Sequence, residues 1–288
     1  MLDRILVPLD GSGLGELALV YAKELARGFE SEIHLISVTE GRTAEYRRLI
    51  QAYIEKTADE LRRDIGKVKP AVKTAILDGH PADRILDYAQ QQKVSLIITV
   101  SHGHSGILPW TMGSTAYKVV HGALVSVLLV RASKDKKKGE TTGVFGKILL
   151  PLDGSAASER TLPLALEMAK RLKSQLTLLC VAEPGQRVHT IGGQDYVHFS
   201  DQYVSAMKEE LGAYLAKTVK DFEKNHIKVS GRLRTGSAAH EIIKLSKEGK
   251  MQLVIMASHS KSGLRQWVFG SVSNKVLHSG KTPLLLVR

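Results

Sequence analysis

Two serine–histidine pairs, each followed at the same distance by a glycine–serine pair, are the residues of this chain best suited to holding an anion. Ser101-His102 leads to Gly113-Ser114, and Ser258-His259 leads to Gly270-Ser271. A Gly-Ser pair at a helix start offers free backbone N–H groups, a hydroxyl and the positive helix end, a set that suits phosphate. A second polar group also recurs, as Asp10-Gly11-Ser12 and Asp153-Gly154-Ser155. An aspartate beside such a loop accepts from ribose hydroxyls or an adenine amino group, or helps hold a metal ion. The plainer alternative makes Gly-Ser a simple helix start and the aspartates turn residues.

Other chemistry has less support. His102 and His104 stand at alternate positions, and His189, Asp195 and His198 cluster later, but no Cys or carboxylate completes a metal-ligand spacing. Solvated or loop-bonded histidines are the favoured reading. No nucleophile–base pair and no Walker-type Gly-Lys-Ser/Thr run occurs. An enzyme is therefore not expected, beyond slow ATP hydrolysis. The lone Cys180 lies in an apolar strand pattern, as a small buried hydrophobe.

The elements that must position these residues come in two sets. Arg4 to Leu9 and Lys147 to Leu152 are short apolar runs ending at the two aspartates. Runs of that kind suit parallel strands covered on both faces. Leu14, Leu17, Ala18, Tyr21, Ala22 and Leu25 then recur at helical spacing, as do Leu162, Leu166, Ala169 and Leu172, each helix with a serine near its start for capping. Glu32–Val38 and Gln175–Val181 are second strands at equal distance from the aspartates, which makes each set a right-handed parallel crossover. Ala52–Thr57 matches Ala213–Thr218; third strands follow at 71–77 and 227–234, and Gly79-His80-Pro81-Ala82 and Gly236-Ser237-Ala238-Ala239 open further helices. Leu96–Val100 and Leu253–Ala257 are fourth strands, and Val127–Arg131 and Leu284–Arg288 end each set. Glu183 to Asp201, with Pro184, Gly185, Gly192 and Gly193, is extra in the second set and reads as an inserted loop that either lids a pocket or is a surface excursion.

The expected architecture is two tandem α/β Rossmann-like domains, 1–131 and 145–288, joined by a flexible linker at 132–144 rich in Lys, Gly and Thr. Ligands of open parallel sheets bind beyond the carboxyl ends of the strands where strand order reverses. That places the Asp loop, the loop after Val38 or Val181 and the Ser-His loop together.

Net charge is +12, part of it in Lys134, Lys136, Lys137 and Lys138 of the linker. With no aromatic residues between these lysines, nucleic-acid binding is not favoured. No apolar run is long enough to cross a membrane. The strand pattern beginning near Met1 leaves no room for a signal peptide, and with one cysteine a cytoplasmic protein is expected.

On these residues both sets resemble the universal stress protein family, and the chain resembles a tandem member. Nucleotide-binding members carry G-x-x-G, nine residues, then G-S or G-T after the fourth strand, and an aspartate after the first. This chain has Val100-Ser101-His102-Gly103, nine residues and Gly113-Ser114, then Ala257-Ser258-His259-Ser260, nine residues and Gly270-Ser271. Gly103 and both Gly-Ser pairs match; Val100, Ala257 and Ser260 depart. Valine adds bulk where the family backbone passes the ribose, alanine adds less, and Ser260 restricts positive φ.

The resemblance implies an adenine nucleotide hydrolase-like fold with five parallel strands in the order 3-2-1-4-5 and helices on both faces. It implies ATP or AMP as ligand, with or without Mg, held by Pro8, Asp10, Val38, Val100, Gly103, Gly113 and Ser114 in the first half. In the second half the set is Asp153, Val181, Ala257, Ser260, Gly270 and Ser271. The first half is favoured for phosphate contacts and the second is more tolerant at the ribose. The resemblance also implies that the two last strands meet as an intrachain pseudo-dimer, that chains pair as a homodimer, and that output is a contact with a signalling protein. A nucleotide-free scaffold with degenerate pockets is the alternative.

Overall fold

The computed structural model describes residues 1–66, 71–102, 112–131, 143–190, 193–258 and 270–288, with 186–190 and 193–196 described as backbone. Contacts group Met1–Phe145, Ser258 and Pro283–Arg288 in one unit, and Gly146–Ala257 with Gly270–Thr282 in another.

In the first unit, β1 (Arg4–Pro8), α1 (Leu17–Phe29), β2 (Glu32–Thr39), α2 (Ala44–Ile65), β3 (Val72–Asp78), α3 (Pro81–Gln91), β4 (Leu96–Val100), α4 (Ser114–Gly122) and β5 (Ser126–Val130) alternate strand with helix. The strands lie in the order β3-β2-β1-β4-β5, and these pairs are all parallel. Every residue of β4 is buried, and so are Ile5, Leu6 and Val7 of β1. Helices on both faces leave these strands no wet side, which is why their sequences are continuously apolar.

The second unit holds β6 (Lys147–Pro151), α5 (Ala156–Glu159), α6 (Leu162–Leu172), β7 (Gln175–Ala182), β8 (Gly185–Thr190), β9 (Gly193–His198), α7 (Asp201–Glu223), β10 (Val229–Thr235), α8 (Ala238–Glu248), β11 (Leu253–Ala257) and α9 (Ser271–Ser279). Its sheet runs β10-β7-β6-β11, again parallel. The registers repeat: Ile5 faces Leu96 as Ile148 faces Leu253. The loops repeat too, with Gly79 at φ +121° and Gly236 at φ +144°, a backbone region glycine enters without a Cβ clash.

The last strand, β12 (Leu284–Val287), belongs to the first unit. It pairs antiparallel with β5, Leu284 opposite Leu129, Leu285 opposite Leu128 and Leu286 opposite Val127. All six side chains are buried, so the two apolar edges cover each other.

Two expectations need correcting. The segment after Glu183 is not a loop: β8 and β9 form an antiparallel hairpin, from Gly185 opposite His198 to Thr190 opposite Gly193. The sequence signal was present, since a Gly pair between two strand-length runs is a hairpin cue. Ser12 does not cap α1, whose N-cap is Glu16 without a side-chain bond; Ser155 does cap, but it caps the short α5. Of the expected linker, residues 132–142 lie outside the described residues; its last residue, Val144, is buried, and just beyond it Phe145 packs edge-on against Tyr21 at 5.5 Å between ring centroids.

Leu128 is 1% exposed between β4 and β12. Leu128→Ala leaves a cavity there and is expected to destabilise the first unit by about 2–5 kcal/mol, measured by chemical denaturation.

Candidate functional site

The polar loops sit where parallel strands end. Leu9 N–H donates to Ile36 O (2.8 Å) and Leu152 N–H to Leu179 O (2.8 Å), carrying each sheet one residue past β1 and β6. The next residue is the aspartate. Gly11 at φ +80° and Gly154 at φ +74° then turn the chain. Ser12 donates to Asp10 Oδ1 from its N–H (3.0 Å) and its hydroxyl (2.6 Å); Ser155 donates to Asp153 Oδ1 at the same two distances. In the first repeat the serine oxygen then accepts from Gly15 N–H (3.1 Å), and in the second from Ser158 N–H (3.2 Å). The two aspartates are therefore turn residues, as the plainer reading held, and their carboxylates are oriented by that turn. A Cβ on Gly15 would fall 2.9 Å from Asp10 Oδ1, so the turn needs glycine there.

At β4, Ser101 N–H donates to Val130 O and Gly113 N–H to Ser101 O, both at 2.8 Å. These bonds hold the start of α4 against the end of β4. Gly113 is the N-cap of α4 and has no side chain to bond the first-turn amides, which have no acceptor within the helix. Its φ of −56° is open to any residue; its smallness leaves room rather than permitting a turn.

A cavity of about 260 Å³ opens between these loops, lined by Pro8, Leu9, Asp10, Gly15, Ile36, Val38, Pro81, Ile85, Thr99, Val100, His102, Gly113, Ser114 and Thr115. Of the residues expected in the first half, Pro8, Asp10, Val38, Val100, Gly113 and Ser114 come together here, while Gly103 lies outside the described residues. Sequence reasoning passed over Ile36, which shares a strand face with Val38 by the two-residue period, and Pro81 and Ile85, one helical turn apart on α3. His102 was weighed as a metal ligand; among the described residues no group of three His, Cys, Asp or Glu side chains forms a metal site.

In the second repeat, Asp153 follows β6, Val181 is near the end of β7, Ala257 ends β11, Gly270 caps α9 and Ser271 begins it. Ser260 lies outside the described residues. Burial favours the neutral form of Asp153, but hydrogen bonds from Ser155 and Ser158 outweigh it, so its carboxyl is held below the usual carboxylate range. Burial, with Glu159 nearby, pushes the Tyr214 hydroxyl up to about 12, so it stays protonated.

The Universal stress protein family model matches residues 1–131 and 145–288. The universal stress protein YxiE of Bacillus subtilis is 31% identical over 148 residues, 50% of this chain and 100% of that protein. A universal stress protein of Mycobacterium tuberculosis is 23% identical over 222 residues, 76% of this chain and 70% of its own length. The crystal structure of a universal stress protein from Archaeoglobus fulgidus covers 100% of this chain and 99% of that one, with a TM-score of 0.68 and 18% identity, which speaks for the fold.

The Asp153 turn has a pH signature. A carboxyl whose folded pKa is depressed adds stability above its unfolded pKa of about 4, and that stability is lost as pH falls through the folded value. Asp153→Asn is expected to flatten the acid limb of the melting-temperature profile below about pH 5. Neighbouring atoms crowd the carboxyl, but the residue as a whole is exposed to water, so solvent screening keeps the change small. An acid limb as steep as the native chain's refutes the assignment.

Proposed function

We propose, from the premise that this chain belongs to the universal stress protein family, that it binds ATP or AMP in the first-unit cavity and signals through a protein contact. The carrying observation is that one cavity is lined by the Asp10 turn, the end of β2 and the start of α4. Asp10 accepts from the ribose hydroxyls. Ile36, Val38 and Ile85 give the base an apolar seat. Gly113, Ser114 and the first-turn amides of α4 receive phosphate at the positive helix end. The volume, about 260 Å³, falls just below the usual range of small-molecule pockets, roughly 300–1,000 Å³. It suits a nucleoside with its first phosphate, the remainder extending outward. The net charge of +12 favours an anionic ligand. Any Mg would arrive on the phosphates.

The second repeat offers Asp153, Val181, Ala257, Gly270 and Ser271 at the matching positions, and Ala257 intrudes less at the ribose than Val100 does. In this reading the nucleotide changes how the chain meets a signalling protein or a second copy, in the cytoplasm, and any hydrolysis is slow. Among the described residues no helix is long and apolar enough to cross a membrane.

A second reading, a nucleotide-free scaffold, is favoured by Val100 itself, which is buried and lines the cavity.

Calorimetric titration with ATP, ADP and AMP separates the two readings. Binding is expected at or below millimolar ligand, weakened about tenfold or more by Asp10→Ala, which removes a charged hydrogen-bond acceptor. Val100→Gly is expected to tighten it. A native chain silent at millimolar nucleotide, with binding appearing only in Val100→Gly, rejects the nucleotide reading for the native protein.

A further inference from the structure

We infer that His34 and Tyr88, which stand outside the cavity lining, clasp α3 to β2 and so set the width of the apolar seat that receives the base. This rests on the nucleotide reading above and names the residues that position its base seat.

The seat has two walls. Ile36 and Val38 come from β2, Pro81 and Ile85 from α3. His34 continues the first wall by the two-residue strand period, and Tyr88 continues the second, one helical turn beyond Ile85. The two meet at the foot of the seam. His34 Nδ1 lies 2.9 Å from the Tyr88 hydroxyl oxygen, and the rings pack edge-on at 5.7 Å between centroids. His34 is 1% exposed, so the bond is made away from water.

The direction of that bond follows from its neighbours. His34 Nε2 is bonded to Glu32 Oε1. An ionised carboxylate only accepts, so Nε2 carries the ring proton, and Nδ1 of the neutral ring accepts from Tyr88. A protonated ring would donate to the same hydroxyl oxygen, so the clasp is kept in either state. Burial favours the neutral form of Glu32, but hydrogen bonds from Lys73 and His34 outweigh it and hold the carboxyl below the usual carboxylate range. Burial, with Glu32 nearby, pushes the Tyr88 hydroxyl up, so it keeps its proton. Lys73 Nζ of β3 at 2.9 Å and Arg4 Nε of β1 at 3.8 Å brace the same Glu32 oxygen.

The second repeat supplies an internal comparison. Leu149 faces Thr177 as Leu6 faces His34, and Leu245 holds the place in α8 that Tyr88 holds in α3. Thr177 and Leu245 are buried, and a leucine side chain makes no hydrogen bond. The repeat therefore folds without the clasp. Apolar burial is non-directional, whereas a hydrogen bond fixes distance and angle, and a satisfied buried network rigidifies the elements it joins. What His34 and Tyr88 add to the first unit is a fixed spacing beneath the seat.

The test measures AMP, ADP and ATP affinity by calorimetry, at a temperature where circular dichroism shows each chain folded. Tyr88→Phe keeps the ring and removes the donor. His34→Thr combined with Tyr88→Leu transplants the pair found in the second repeat, where the fold accepts it. His34→Asn keeps an acceptor about where Nδ1 stands. Tyr88→Phe and the transplant are each expected to lose about three- to tenfold in affinity. The factor is expected to be the same for all three nucleotides, which share the base and differ only in phosphate. His34→Asn is expected to stay near the native value. If Tyr88→Phe does not fold, the transplant decides. Native affinity in either, with only the melting temperature lowered, overturns the inference. So does a loss that differs among AMP, ADP and ATP, or a His34→Asn chain as weak as the transplant. Each of these leaves the nucleotide reading standing. A native chain that binds none of the three overturns that reading and this inference together.

Discussion

The pairing of β1 with β4 is the constraint on which the first unit depends. Ile5 faces Leu96 and Leu6 faces Ile97, while β2 takes the other edge of β1. Successive connections from β1 therefore leave to opposite sides, and the loops after β1 and β4 diverge at their carboxyl ends. A crevice at that divergence follows from topology, before any side chain is considered. The second unit has the same pairing, Ile148 with Leu253 and Leu149 with Val254, so its loops start from the same geometry.

Given the crevice, its chemistry depends on a few short backbone bonds. Leu9 and Ser101 extend the ladder past the ends of β1 and β4, and the Asp10–Ser12 turn and the start of α4 hang from them. The carboxylate thus stands on one rim and the uncapped amides on the other, each on rigid sheet. The Asp–Ser turn is made from the same two bonds in both repeats, although the helices that follow begin differently. Serving local structure and presenting a charge are compatible: one oxygen closes the turn, and the turn orients the group.

One departure from the family pattern shows where the cavity wall and the stability of the fold meet. Val100 is both the last residue of a buried strand and part of the cavity wall. Its burial supports the sheet, and its side chain takes space a glycine would leave. His102 stands at a position that the family motif leaves open, and its buried imidazole has one nitrogen unmatched among the described residues, which costs the fold.

Much of this was legible in the residues. The repeated strand runs, the Asp-Gly-Ser turns and the Gly-Ser helix starts are local signals, carried by period, turn chemistry and spacing, and they determined the α/β class and the rim on which polar groups gather. The hairpin after Glu183 was also legible in principle, since its Gly pair is a turn cue. Other features were not. Nothing near Pro81 or Ile85 in sequence announces that α3 supplies one wall of the cavity. Two apolar edge strands announce that they need partners, but only the tertiary structure sets Leu285 opposite Leu128. The state of His102 Nε2 likewise depends on what surrounds it. Periodicity and turn residues act between near neighbours along the chain, so sequence alone determines elements and their order. Walls, edges and unmatched atoms arise between residues tens to hundreds of positions apart, and those are decided when the elements pack.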